Sequence, residues 1–161
     1  MKWKDDMNYW LFKSEPDAFS IDDLANSANQ TEHWDGIRNY QARNFLRDDV
    51  KLGDQVFIYH SSCKNVGIAG LAEVVKEGYV DHTQFDPEGK YYDPKSPQDN
   101  PRWYMVDVKL VKKFNAVLSL KDIKAMPEIN EIGLVKKGHR LSIMPVQETE
   151  FKRLLAACEG I

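Results

Sequence analysis

Cysteine is scarce in this 161-residue chain. The two cysteines, Cys63 and Cys158, lie far apart, and no pair of Cys or Cys and His has the spacing of a zinc site. A chain of this length buries a core large enough to fold without disulfides or a structural metal. We therefore predict no metal and no cofactor, and we expect a reducing compartment, the cytoplasm.

Long apolar runs are also missing. Although 42% of the residues are hydrophobic, no stretch reaches the roughly 20 apolar residues that a membrane-spanning helix needs. The opening MKWKDDMNYW turns acidic after its lysines, which is unlike a secretory signal. These absences predict a soluble single domain with no membrane partner, preceded by a leader of residues 1–7 to which we assign no role.

A strong excess of positive charge is absent, since the net charge is −3. This excludes a protein that is basic over its whole surface, but local basic groups remain available to hold an anionic partner. Two such groups occur, and Asp48 and Asp49 offset the first of them. The first contains Arg38, Arg43, Arg47 and Lys51, and the second contains Lys136, Lys137, His139 and Arg140.

Established catalytic motifs are lacking as well. The chain has no phosphate loop, no dinucleotide-binding glycine pattern, no HExxH helix and no GxSxG elbow. His60 and Ser61 are adjacent on a predicted strand, so their side chains point to opposite faces and do not form a catalytic pair. Asp81, His82, Asp86 and Asp93 are residue types that bind metal ions, but a polar acidic loop contains such residues by composition alone. We predict a protein that is not an enzyme.

What is present is a pattern of about five strands with short helices between them. It predicts an α+β fold: a small curved mixed sheet or barrel with short helices at its periphery. Residues 26–32 are predicted to be a loop and residues 79–101 a long loop or flap, with weak helical character in residues 128–139. The predicted strands cover residues 8–13, 55–60, 66–75, 102–118 and 141–145, and the predicted helices follow Ser20, cover 40–48, follow Ser119 and end the chain.

One stretch, residues 33–62, concentrates side chains that packing does not require. Aromatic planes, amide and guanidinium donors and a histidine together are suited to a pocket for a flat polar ring. Taken singly, each is more often structural: Trp34 as a core residue, Tyr40 on a helix face, His60 as a satisfied interior imidazole. Lys13 and Ser14 end the first strand and add polar groups. Arg43 and Arg47, on a helix face of their own, are predicted to hold phosphates.

Five motifs in this order make the chain similar to the EVE-domain family: YWLFKSEP (9–16), WDGIRNYQARNFLR (34–47), GDQVFIYHSS (53–62), YYDPKS (91–96) and LSIMPV (141–146). The resemblance covers residues 8–158 as one domain. It implies a PUA-like pseudo-barrel that binds modified bases, notably modified cytosine in DNA. Carried over residue by residue, it points to Lys13, Ser14, Trp34, Arg38, Asn39, Tyr40, His60 and Ser61 as base-binding residues.

The hypothesis is thus a reader that binds a modified nucleobase without catalysis, with the base flipped into an aromatic and polar pocket. Trp34 and Tyr40 are the candidates for stacking, and Asn39, Ser14 and His60 for contacts to the base edge. The partner is nucleic acid, DNA rather than RNA, and a monomer is favoured. The alternative is an enzyme or small-ligand-binding protein that uses the same pocket for a nucleotide-like molecule.

Overall fold

The computed structural model describes residues 7–161, so most of the leader assigned to residues 1–7 lies outside the described residues. Within them, six strands form a mixed sheet in the order β2-β5-β4-β3-β1-β6. Strands β1 and β3 are parallel, and the other neighbours are antiparallel. The strands are β1 (Tyr9–Ser14), β2 (Thr31–Trp34), β3 (Gln55–His60), β4 (Gly67–Val80), β5 (Tyr104–Ser119) and β6 (Ile143–Val146).

Four short α-helices of the described residues lie around this sheet, which confirms the predicted α+β class. They are α1 (Ile21–Asn26), α2 (Tyr40–Asn44), α3 (Leu120–Lys124) and α4 (Glu148–Glu159); a π-helical turn, Phe45–Asp49, continues α2. The helix predicted after Ser20 is present and begins with a capping box, in which the Ser20 hydroxyl accepts from the Asp23 amide at 3.1 Å and the Asp23 carboxylate accepts from the Ser20 amide at 2.8 Å.

The sheet is buried on both faces because its central strands alternate between two cores. Phe57 and Tyr59 of β3 pack with α4, whereas Val56 and Ile58 pack with the residues of α1 and α2. This is the division of faces that the period-two pattern predicts for the strand. Shifts in register bend the long β4–β5 pair. Within residues 7–161 the edge strands β2 and β6 are not paired with each other, so the sheet is an open pseudo-barrel.

Three predicted boundaries were wrong. Part of the predicted loop 26–32 belongs to β2, which has no alternating apolar pattern of its own and is stabilised by pairing with residues 106–109 of β5. Tyr79 and Val80 belong to β4, because they pair with Met105 and Tyr104 instead of opening the flap. The weakly helical stretch 128–139 contains only one 3₁₀ turn, Gly133–Val135.

The rest of the predicted flap, residues 81–101, is folded against the domain. The fully buried Gln84 side chain donates to the carbonyls of Asp81 and Trp103 at 2.6 and 2.9 Å, and it accepts from Ser96 Oγ at 2.5 Å. The indole of Trp103 donates to Asp93 at 2.7 Å. These buried polar contacts hold the flap in place, and Gln84 itself belongs to a short 3₁₀ helix, His82–Phe85. As for membranes, residues 7–161 contain no helix with the length and apolar content to cross one.

Candidate functional site

A cavity of about 580 Å³ opens between the end of β1, strand β2 and the flap. Its volume falls in the range of small-molecule sites. The walls combine aromatic rings with cationic and carboxylate side chains. The lining residues are Lys13, Ser14, Ala18, Phe19, Glu32, His33, Trp34, Asp35, Gly36, Ile37, Lys90 and Tyr91.

Three of the predicted base-binding residues line this cavity: Lys13, Ser14 and Trp34. Burial lowers the pKa of the Lys13 ammonium, which lies 5.8 Å from the centre of the Tyr59 ring. The Ser14 hydroxyl donates to the Phe19 carbonyl at 2.5 Å. Trp34 is only 6% exposed and contacts the rings of Phe12 and Phe19, so most of its surface is used in the core.

The other five predicted base-binding residues do not line the cavity. Asn39 caps α2, since its side-chain oxygen accepts from the Ala42 amide at 3.0 Å. Tyr40 is exposed and stacks on Trp103 with 4.9 Å between ring centres. The Ser61 amide donates to the Ser14 carbonyl at 2.9 Å. The remaining two, Arg38 and His60, hold neighbouring segments in position.

His60 is engaged by the backbone of helix α1. Its Nε2 accepts from the Ile21 amide at 3.0 Å, so this nitrogen is already occupied. Burial lowers the pKa of His60, although Asp22 acts in the opposite direction. A neutral imidazole is the form that can accept this hydrogen bond. His60 thus makes a structural contact, as an interior imidazole with a hydrogen-bond partner, which is one of the two roles that the sequence allowed for it.

Arg38 and Asp81 connect the loop after β2 to the flap through hydrogen bonds. Asp81 Oδ2 accepts from the Gly36 amide at 2.9 Å and from Arg38 Nη1 at 3.0 Å, while Oδ1 accepts from the amide and hydroxyl of Thr83. Arg38 also donates to the Tyr91 carbonyl, at 2.8 Å from Nη2. Burial alone would raise the pKa of Asp81, but these hydrogen bonds from Thr83, Gly36 and Arg38 lower it below its ordinary value.

The residue-by-residue reasoning missed the acidic side of the cavity. The His33 imidazole lies between two carboxylates, 3.1 Å from Glu32 and 3.6 Å from Asp35. Burial raises the pKa of Asp35, and His33 only partly opposes this. The sequence did show that Glu32 and His33 directly precede Trp34 and that Asp35 directly follows it. Because β2 was predicted to be a loop, nothing indicated which of them face the cavity.

The flap contributes Tyr91, another residue that the sequence reasoning did not assign to the site. Its ring packs on Gly36, where an added Cβ would lie 2.5 Å from the Tyr91 ring. Gly36 also has a positive φ of 78°, which favours glycine. The YYDPKS motif contained Tyr91, but sequence gives no indication that residue 91 meets residue 36.

The two arginines predicted to hold phosphates lie on or next to α2, outside the cavity lining. Arg47 makes two hydrogen bonds of 2.8 Å to the Asp48 carboxylate. Arg43 Nη1 donates to the Arg102 carbonyl at 2.6 Å, and its Nε donates to the side-chain oxygen of Asn44 at 2.8 Å. Arg43 therefore has neutral acceptors, whereas the charge of Arg47 is matched by an adjacent carboxylate.

Residues 7–161 hold no group of three or more His, Cys, Asp or Glu side chains placed to bind a metal ion. The acidic flap residues are used in other ways: Asp81 binds Arg38 and Thr83, and Asp93 binds the Trp103 indole.

Comparisons with known proteins agree on one family. The EVE-domain family model matches residues 8–157. Human thymocyte nuclear protein 1 is 45% identical over 165 residues, which covers 92% of this chain and 73% of the human protein. A Pseudomonas syringae protein of known crystal structure is 46% identical in sequence to this chain, with a TM-score of 0.88. The match covers 92% of this chain and 98% of that one.

A further crystal structure shows the human THYN1 protein in complex with DNA that contains 5-methylcytosine. It is 44% identical to this chain and has a TM-score of 0.87, with coverage of 94% of this chain and 98% of that one. The resemblance carried by the five motifs is confirmed by this match of sequence and fold. The chain belongs to the EVE-domain family.

Proposed function

We propose that this protein binds a modified cytosine of DNA, flipped out of the helix into the cavity between β1, β2 and the flap, without catalysing a reaction. The observation that carries the proposal is one cavity with aromatic walls, two lysine side chains and two carboxylates. The relative crystallised with DNA containing 5-methylcytosine supports it. A base inside a duplex hides its faces and its pairing edge, so a protein that reads them takes the base out of the stack.

The polar groups of the cavity suit the edge of cytosine. Cytosine presents an amino group as donor and has acceptors on the rest of its edge. The carboxylates of Glu32 and Asp35 can accept from the amino group, and the ammonium of Lys13 can donate to an acceptor. Thymine carries an oxygen where cytosine carries the amino group, so a carboxylate there would face another acceptor. The cavity therefore favours cytosine.

The apolar walls suit a methyl group on the base. Phe19, Trp34 and Ile37 line the cavity, and Trp34 and Ile37 are held rigidly by the core. Burying one methyl-sized group contributes about 0.8 kcal/mol, which is roughly a fourfold gain in affinity. A single buried methyl group thus gives a modest preference over unmodified cytosine, and close packing of the walls increases it.

Three DNA probes test this proposal. They are duplexes of one sequence that differ only at one central base pair, which is 5-methylcytosine with guanine, cytosine with guanine or thymine with adenine, titrated at one fixed salt concentration. We expect the 5-methylcytosine duplex to bind most tightly, by about fourfold or more over cytosine. The thymine duplex carries the same methyl group and is expected to bind more weakly, because its oxygen faces the carboxylates. Equal affinities for all three would exclude the proposal.

The absence of catalysis is part of the proposal and needs its own test. His60, the histidine nearest in sequence to a serine pair, already accepts from the Ile21 amide. We expect the mass of a 5-methylcytosine oligonucleotide to stay unchanged after prolonged incubation with the protein. A product of altered mass that disappears with an Asp35→Asn variant would favour the enzyme alternative.

We also propose that the protein works in a reducing compartment such as the cytoplasm. Cys63 and Cys158 are both free thiols, and Cys158 lies on the buried face of α4. Burial raises the pKa of the Cys158 thiol to about 12, which keeps it unreactive. Subcellular fractionation checks this, and recovery from an oxidising compartment would contradict it.

A further inference from the structure

A row of stacked side chains runs from the cavity wall to the protein surface. The Arg38 guanidinium lies 5.6 Å from the ring centre of Tyr91, which lines the cavity, and 5.4 Å from that of Trp103. Trp103 in turn stacks on Tyr40, with 4.9 Å between ring centres and 23° between the planes. We call these four side chains, Tyr91, Arg38, Trp103 and Tyr40, the ring stack.

The outer member of the ring stack presents an aromatic face to solvent. Tyr40 is 52% exposed, whereas Trp103 beneath it is 5% exposed and its indole is bonded to Asp93 at 2.7 Å. Tyr40 is also the first residue of α2, directly after the capping Asn39. An aromatic side chain held on two sides loses little conformational entropy when a ligand contacts its free surface.

A cation with an unmatched charge lies beside this ring. The Arg43 guanidinium is 5.0 Å from the Tyr40 ring centre, and it donates hydrogen bonds to neutral oxygens of Arg102 and Asn44. In the described part of the chain, Arg43 takes part in no ion pair, whereas Arg47 pairs with Asp48 and Arg102 lies 3.7 Å from Asp93. Of these three arginines, Arg43 is the one without an ion-pair partner, which leaves its guanidinium the most available to an incoming anion.

We propose that Tyr40 and Arg43 bind a nucleotide that flanks the flipped base within a few positions along the strand, with Tyr40 stacking on its base or sugar and Arg43 contacting its phosphate. This inference rests on the proposed function, since it assigns the path of the strand outside the cavity. Exposed aromatic rings beside cations are how proteins hold unpaired nucleic acid. The distance from the cavity wall to Tyr40 along the ring stack corresponds to a few nucleotides of a strand, at about 3.4 Å of rise per nucleotide.

Four variants and the three DNA probes test the inference. Tyr40→Ala removes the ring and Tyr40→Phe keeps it, while Arg43→Ala removes the cation. Arg153→Ala is the matched control, because it removes one exposed arginine from α4, which packs on the opposite face of the sheet. Circular dichroism and thermal unfolding establish that each variant is folded.

We expect Tyr40→Ala to weaken binding of every probe between roughly five- and a hundredfold, the range for loss of one stacked base. The ratio of affinities for 5-methylcytosine and cytosine stays at the wild-type value. Tyr40→Phe binds like the wild type. Arg43→Ala weakens all probes and reduces the slope of log affinity against log salt by about 1, and Arg153→Ala leaves that slope nearly unchanged.

Wild-type affinity of folded Tyr40→Ala and Arg43→Ala would overturn the inference and leave the proposed function intact. A Tyr40→Ala variant that loses the preference for 5-methylcytosine would also overturn it, because Tyr40 would then contact the modified base itself. Failure of the wild-type protein to bind any probe, or to prefer 5-methylcytosine, is a failure of the proposed function, so the two outcomes are distinguishable.

Discussion

The negative charge of Asp35 is expected to favour ligand binding and to lower the stability of the free protein. Its carboxylate lines the cavity and is 29% exposed. Burial raises its pKa, the His33 imidazole opposes the rise, and the negative charge of Asp81 adds to it. Holding a partly dehydrated carboxylate in an empty cavity is unfavourable, but the same carboxylate is a strong acceptor for the amino group of a bound cytosine.

An Asp35→Asn variant separates these two effects. We expect its melting temperature at pH 7 to equal or exceed that of the wild type, because the dehydrated charge is gone. Its affinity for the 5-methylcytosine duplex falls about five- to tenfold, since a neutral acceptor replaces a charged one. Glu159→Gln removes a charge from the exposed end of α4 and serves as the control. Unchanged affinity of the Asp35 variant would mean that this carboxylate does not contact the base.

Gly36 allows a second residue-level test, because Gly138 has the same φ of 78° with no atom within 4 Å of an added Cβ. Both Gly→Ala changes are expected to destabilise the fold by roughly 1–2 kcal/mol through the left-handed backbone. Only Gly36→Ala also displaces the Tyr91 ring from the cavity wall. In the titrations, Gly36→Ala should therefore weaken binding of the 5-methylcytosine duplex severalfold and Gly138→Ala should not. Equal binding by the two variants would separate Tyr91 from ligand binding.

Two elements that meet at the cavity, the loop after β2 and the flap, depend on one side chain. Asp81 is fully buried and accepts hydrogen bonds from both of them. The Arg38 guanidinium, which it pairs with, is partly buried and positions Tyr91. The rigidity of the cavity wall therefore depends on the contact between Asp81 and Arg38.

Asp81→Ala is expected to destabilise the protein by about 3–5 kcal/mol, because it leaves the Arg38 charge without its partner. Glu128→Ala, which breaks an exposed ion pair with Arg153, is expected to change stability by no more than about 1 kcal/mol. Urea denaturation measures both. Limited proteolysis should cleave the Asp81 variant first within residues 81–101, and cleavage elsewhere first would argue against the proposed anchoring of the flap.

At the scale of the whole molecule, two histidines, the buried His60 and the half-buried His139, make stability depend on pH. Burial lowers the pKa of His60 and of His139, whose Nδ1 is buried without a hydrogen-bond partner. Lys13 and Lys136 lower the pKa of His139 further. The folded protein thus resists protonation at a pH where the unfolded chain, with an ordinary histidine pKa of about 6.5, takes up protons.

We expect the free energy of unfolding to fall as the pH drops from 7 through about 6.5 toward 5, by at most about 1.4 kcal/mol per pH unit for each histidine. The raised pKa of Asp35 has the opposite sign, because the folded state holds that proton more tightly. His60→Gln keeps an acceptor for the Ile21 amide and should flatten the dependence. Urea denaturation at several pH values measures this, and equal slopes for variant and wild type would exclude His60 as a cause.

The sequence by itself determined the features that depend on neighbouring residues. Period-two alternation in β3 separated Val56 and Ile58 from Phe57 and Tyr59, and the Ser20 capping box placed the start of α1. The family motifs led to Lys13, Ser14 and Trp34, which do line the cavity. These signals are local, because strand alternation and helix capping act over two to four residues.

Only the tertiary structure decided which distant segments meet. Strand β2 exists because β5 supplies its partners, and Tyr91 joins the cavity because Gly36 leaves room for its ring. Tyr40, predicted in the pocket, instead covers Trp103, more than 60 positions away in the chain. The physical reason is that backbone pairing and side-chain packing are satisfied by any suitable partner within reach, and the partner is chosen by the fold of the whole chain.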